Sequence, residues 1–117
     1  MASLRLWQGG DVWIVEGLFD LFPLQWVVPS GDAVMAALRA NLTKKQVEFI
    51  RRFNPPMVHM VFDRDETGRK GNKTVLRMLE KAGIRCREVS YSGGKDPGEV
   101  WDRGGVEGLK QAFPYGG

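Results

Sequence analysis

Val61 to Gly71 reads VFDRDETGRKG. An apolar run ends there, and two aspartates, Asp63 and Asp65, stand one residue apart where a helix is about to begin. Extended backbone sends alternate side chains to one face, so both carboxylates are expected to face one spot. Like charges that close repel unless a cation lies between them. Mg²⁺ or Mn²⁺ meets that need, because Mg²⁺ is usually held by one or two carboxylates together with water and a substrate phosphate. An acidic loop ending in a helix N-cap is the plain alternative, and the rest of the chain has to decide between them.

The 117 residues suffice for one compact domain spanning 1–117, and a composition 43% hydrophobic and 26% charged is that of a folded globular chain. No apolar segment approaches the roughly 20 residues that cross a bilayer. The start, MASLRLWQGGD, lacks the apolar stretch of a signal peptide. A cytoplasmic location with no membrane partner is expected. One cysteine, Cys86, excludes an internal disulfide, and one histidine, His59, excludes a Cys/His zinc site within this chain. Any metal must therefore be held by oxygen. Seventeen Lys and Arg against fourteen Asp and Glu give +3, a mild excess. Its distribution is more telling: basic residues gather in TKKQVEFIRR (Thr43 to Arg52) and in RDETGRKGNK (Arg64 to Lys73). Metal-held carboxylates beside Arg69, Lys70 and Lys73 make a place for phosphate, whereas the first cluster reads equally well as a solvated helix face.

Around VFDRD the chain alternates strand and helix. DVWIVE (Asp11 to Glu16) is a buried strand by its Val, Ile and Trp content, and LFDLFPLQW is a short helix bent or shortened by Pro23. Leu42 to Phe53 has helical spacing with Thr43 as N-cap, and MVHMVF (Met57 to Phe62) is a second buried strand. Glu66 to Ala82 is a helix stopped at Gly83, and RCREV (Arg85 to Val89) is a further strand. GKDPG (Gly94 to Gly98) is a tight loop leading into a last helical stretch. Ala33 to Arg39 is helical by propensity, but alternation predicts a strand from Val34 to Leu38. The pattern implies an α/β fold with a sheet of about four mainly parallel strands and helices on both faces. His59 reads as a core histidine, Cys86 as a small buried strand residue, and Trp7, Trp13, Trp26 and Trp101 as packing residues.

In such sheets ligands bind at the carboxyl ends of the strands. Glu16 closes IVEG, Asp63 and Asp65 close MVFDRD, and Asp96 follows the last strand in GGKDPGE, so these acids are expected to meet at one rim. The ordered set IVEGLFD, VFDRDETGRKG and GGKDPGE, from about Asp11 to Trp101, resembles the Toprim domain shared by DnaG-type bacterial and phage primases, topoisomerases, RecR-type recombination proteins and small nucleases. GKDP and AALRANLTKKQ resemble the primase branch in particular.

The resemblance implies a metal-dependent core for phosphodiester chemistry. Glu16 matches the family glutamate with acid/base and metal duties, Asp20 the second acid of EGxxD, and Asp63 and Asp65 the DxD ligands. Gly68 matches the glycine that turns into the following helix, and Asp96 the first aspartate of DPD. Two positions depart from the pattern. Gly98 replaces the second aspartate of DPD, with Glu99 beside it, and Arg39 stands where the family often has glycine. Glu16, Asp63 and Asp65 are the expected catalytic residues. With Asp96 they are the expected ligands of two Mg²⁺ or Mn²⁺ ions, Asp20 and Glu99 lend support, and Arg69, Lys70, Lys73 and Lys95 take phosphate. Two metals bridged by carboxylates activate a 3′-hydroxyl, align it with an α-phosphate and neutralise the leaving pyrophosphate. The resemblance implies a primase core that makes RNA primers on single-stranded DNA from nucleotides in DNA replication. Its partners would be zinc-binding and basic primase domains or a replicative helicase. A small nuclease of the kind that matures ribosomal RNA and a RecR-like binding module without catalysis are the alternatives. Tyr91 and Tyr115 are set aside as nucleophiles, because the topoisomerase tyrosine lies outside the Toprim domain.

Overall fold

The computed structural model describes residues 7–37 and 42–113. The chain runs β1 (Val12–Val15), a 3-10 turn (Leu18–Asp20), α1 (Leu21–Gln25), β2 (Ala33–Ala36), α2 (Lys44–Phe53), β3 (Val58–Val61), α3 (Glu66–Lys81), β4 (Cys86–Glu88) and α4 (Pro97–Ala112). The strands form one sheet in the order β2-β1-β3-β4, and every pairing is parallel. Val15 stands opposite Val61 in register, so β1 and β3 end level with each other.

Alternation divides the apolar strand residues between two cores. Val12, Ile14, Met35 and Met60 pack with Val47 and Ile50 of α2 and with Val75 and Leu79 of α3. Trp13, Val15, Val34 and Val61 pack on the other face with Leu21 and Leu24 of α1 and Val100 and Leu109 of α4. Both faces are thus covered by helices, as a parallel sheet requires.

The segment AVMA is a strand despite its helix-forming residues. All four of its side chains are buried and it pairs along the whole length of β1, so tertiary context overrides propensity. The expected end of that strand at Leu38, the departure at Arg39 and the set-aside Tyr115 lie outside the described residues.

Thr43 caps α2 in a reciprocal capping box with Gln46, and Asn54 closes the helix at φ 47°. Gly83 follows α3 at φ 76°, the left-handed stop read from the sequence. GKDPG is only partly loop. Asp96 is the N-cap of α4 and Pro97 its first residue, where a missing N–H costs nothing. Gly105, at φ 61° and ψ −156°, breaks α4 near its middle, a conformation that glycine reaches without strain.

His59 lies in the core and is fully hydrogen-bonded. Its Nε2 lies 2.7 Å from Asp11 Oδ2, Arg87 Nε donates to its Nδ1 at 2.8 Å, and its ring stacks on Trp13 at 4.1 Å. Trp13 in turn donates from Nε1 to Asp32 Oδ2 at 2.8 Å, so the buried polar groups of this strand end satisfy one another. Cys86 is half-buried in β4. Two tryptophans depart from the packing role: Trp26 is 62% exposed and Trp101 41%. Trp26 terminates α1, and Trp101 follows Val100, one step off the stripe with which α4 meets the sheet.

Candidate active site

Because β1 and β3 are paired neighbours that end level, the residues just beyond them meet. Asp63 donates its backbone N–H to Glu16 Oε2 at 3.2 Å. β4 lies next to β3, and the loop after it brings the N-terminus of α4 to the same rim. A hollow of about 520 Å³ results, lined by Glu16, Asp20, Asp63, Asp96, Glu99 and Asp102.

Each acid is placed by local backbone. Asp96 Oδ1 accepts from Glu99 N at 2.8 Å as the α4 cap. Asp20 is held at both oxygens, by Gly17 N at 3.3 Å and by Gly98 N at 3.0 Å, and so ties the first turn to α4. A Cβ at Gly98 would stand 3.3 Å from Asp20 Oδ1 and 3.4 Å from Asp96 Oδ1, so the departure at this position leaves the two acids room. Glu99 Oε1 pairs with Arg103 at 2.9 Å.

Burial, and after it the crowding of like charges, raises two of these carboxyl groups. Burial, then the charges of Glu16, Asp20 and Asp96, push Asp63 up to about 7. Burial pushes Asp20 up to about 6; the backbone bonds from Gly98 and Gly17 oppose it, and the charges of Asp96 and Glu16 add to it. Asp63 Oδ1 is buried with no hydrogen-bond partner. An all-oxygen set that repels itself and leaves one buried oxygen unpartnered suits a hard divalent cation such as Mg²⁺. Among the described residues, no group of three His, Cys, Asp or Glu side chains is arranged to hold a metal ion.

Asp65 is placed differently from Asp63. β3 ends at Val61, so strict alternation does not reach the aspartates, and Asp65 caps α3 by accepting from Gly68 N at 2.8 Å. It is not among the residues lining the acidic hollow. Gly68 is required by close approach: a Cβ there would overlap the Asp63 carbonyl.

Asp63 also borders a second hollow of about 340 Å³, shared with Arg64, Arg69, Asn72 and Tyr91. The Arg64 guanidinium lies 5.9 Å from the centre of the Tyr91 ring, and its Nη1 donates to Gly94 O at 3.4 Å. Arg69 Nη2 donates to Arg64 O at 3.1 Å. All four cations expected at phosphate, Arg69 included, lie on the surface. Lys70 pairs with Glu66 at 3.4 Å, and Lys73 and Lys95 are exposed. Tyr91 is buried, with its hydroxyl 3.0 Å from Phe62 O and 2.9 Å from Lys95 O. Burial, then the charges of Asp63, Asp20 and Asp96, push that hydroxyl far above its ordinary value, which disqualifies it as a nucleophile.

Arg64 and Asp102 escaped the sequence reading. The signal for Asp102 was present, since Asp96, Glu99 and Asp102 recur every third residue at the start of one helix. Nothing local marked Arg64, whose place depends on Tyr91 folding beneath it.

The chain and its fold have counterparts. A family model described as Toprim-like matches residues 13–101. The chain belongs to the Toprim-like family. This Toprim domain is 32% identical over 104 residues to the DNA primase of Aquifex aeolicus, a match covering 89% of this chain and 20% of that one. It is 27% identical over 115 residues to the DNA primase of Deinococcus radiodurans, covering 98% and 20%. The chain therefore spans about a fifth of the length of these primases. In three dimensions it is similar to the Aquifex aeolicus primase (zinc binding and RNA polymerase domains), with a TM-score of 0.69 and 29% identity over 92% of this chain and 26% of that one. A small TOPRIM domain protein from Bacillus stearothermophilus shares the fold at a TM-score of 0.59 and 18% identity, covering 93% of this chain and 91% of its own.

Proposed function

We propose that this Toprim domain is the metal-dependent nucleotidyl-transfer core of a DnaG-like primase, which makes RNA primers on single-stranded DNA. The observation that carries the reading is the convergence of Glu16, Asp63 and Asp96 on one hollow, with a buried and unpartnered Asp63 Oδ1. The likeness to two DNA primases supports primer synthesis over other Toprim chemistries.

In this reading Asp63, Glu16 and Asp96 would hold Mg²⁺ or Mn²⁺ at the hollow, and Asp65, which lies outside its lining, would offer only the oxygen that its cap leaves over. The bound ions supply charge neutralisation at the reacting phosphate. Glu16, half-buried beside Asp63, takes the proton of the attacking 3′-hydroxyl directly or through one water. Asp20 acts by position, since its two backbone bonds fix the α4 N-terminus and with it Asp96. Glu99 and Asp102 extend the acidic wall where the family's second DPD aspartate is replaced by Gly98. Arg69, which borders the second hollow beside Asp63, takes phosphate with Lys70, Lys73 and Lys95, all four being exposed.

The test is incorporation of labelled ribonucleotides on a single-stranded DNA template, with the chain alone and joined to zinc-binding and basic primase domains. Synthesis by the assembly that falls at least about a hundredfold in Glu16→Gln, in line with loss of a general base, is the expected result. Cleavage of structured RNA without synthesis would indicate a nuclease, and template binding without turnover in Mn²⁺ would indicate a binding module.

A further inference from the structure

Four large aromatic side chains stand in the open beside the acidic hollow. Phe19 is 88% exposed, Trp26 62%, Phe22 52% and Trp101 41%. They line a recess of about 450 Å³ together with Gln25. This recess adjoins the acidic hollow, because Phe19, Gly98 and Asp102 border both. Exposed rings cost solvation free energy, and here they lie beside a charged site on the 3-10 turn, α1 with its cap and the first turns of α4.

We propose that this recess is a base-stacking shelf, which takes the nucleobase of a nucleotide whose phosphate lies at the acidic hollow. The inference rests on the nucleotide reading of that hollow and adds where the base goes. Three features select this occupant. The wall is aromatic, and every base presents a π-face that stacks on such rings. The volume is that of a small-molecule site. The two polar side chains on its border, Gln25 and Asp102, offer an amide that both donates and accepts and a carboxylate that accepts, which suits the edge of a base bearing an amino group. The shared border with the acids then puts a base and its own phosphate in adjoining hollows.

The shelf can be tested apart from the metal. Adenosine, which carries no phosphate, should quench the fluorescence of Trp26 and Trp101 in the intact chain without Mg²⁺. The Phe22→Ala, Trp101→Ala double variant should bind adenosine about tenfold more weakly or worse, as loss of stacking predicts. Phe22→Tyr, which keeps a ring, should retain binding, and Mg²⁺-dependent pyrophosphate binding should be unchanged in all three proteins, since Phe22 and Trp101 border only the recess. Because the altered side chains are exposed, unfolding midpoints should stay close to wild type. Equal adenosine affinity in wild type and double variant would overturn the shelf. So would self-association of the wild type that the double variant loses, since the rings would then serve a second copy. Loss of pyrophosphate binding with adenosine quenching intact would instead count against the metal site and leave the shelf standing.

Discussion

Asp63 is a carboxyl group held against its preference for charge. It is pushed up to about 7, whereas an unfolded aspartate titrates near 4, so the folded chain binds the extra proton between those values. In chelator, Asp63 therefore contributes stability below about pH 4 that is lost as pH rises through 7. Asp63→Asn should remove this dependence and stabilise the metal-free chain at pH 8 by on the order of 1 kcal/mol, after discounting for solvent screening. Denaturant melts of both proteins at pH 5 and pH 8 check it, and a difference that does not grow with pH counts against the cluster. With Mg²⁺ added, the wild type alone should gain stability. A second prediction concerns Gly68. Its missing Cβ is what lets α3 pass the Asp63 backbone, so Gly68→Ala should destabilise by about 1–3 kcal/mol and weaken Mg²⁺ binding together. Unfolding free energies and Mg²⁺ titration of the variant read both effects.

At the scale of elements, the helix starts carry the site. α3 opens on Asp65 and α4 on Asp96, and each cap fixes a turn that leaves a strand end. Asp65 is where capping and metal binding are separable. Asp65→Ala should cost about 1 kcal/mol as the bond from Gly68 N is lost, whereas Asp65→Ser keeps a capping oxygen and should stay within about half a kcal/mol of wild type. If the leftover Asp65 oxygen holds metal, Asp65→Ser should nevertheless bind Mn²⁺ more weakly than wild type. Calorimetry of the serine variant decides this, and unchanged Mn²⁺ affinity would leave Asp65 as a cap alone.

Across the whole molecule, charge is divided rather than abundant. Acids line the rim, cations lie on α2, α3 and the loop before α4, and the sum is only +3. Such a domain neutralises few phosphates, so its hold on single-stranded DNA should be weak and should fall as salt rises. Fluorescence anisotropy of a labelled oligonucleotide between 50 and 200 mM salt, concentrations at which phosphate-dominated binding changes by about orders of magnitude, measures this. Tight binding indifferent to salt would point to contacts other than those on the rim. The isolated domain should accordingly extend primers poorly, and the assembly with basic domains should do so well.

Much of this was legible in residue order. Helical spacing, Thr43, Gly83 and the apolar runs marked the elements, because caps and periodicity are local physics. The acids at strand ends marked the rim, because parallel strands joined by helical crossovers all point the same way. AVMA as a strand came only from alternation, and its pairing with β1 rests on contacts no local propensity contains. The split between Asp63 and Asp65 was not legible. Whether a strand stops at Val61 or runs on two residues is decided by where β1 and β4 stop pairing with it. The same holds for Trp26 and Trp101, whose rings look like core in composition. Only the packing of α1 and α4 on the sheet determines which side of each helix meets the core, and that packing leaves these rings outside, next to the acids.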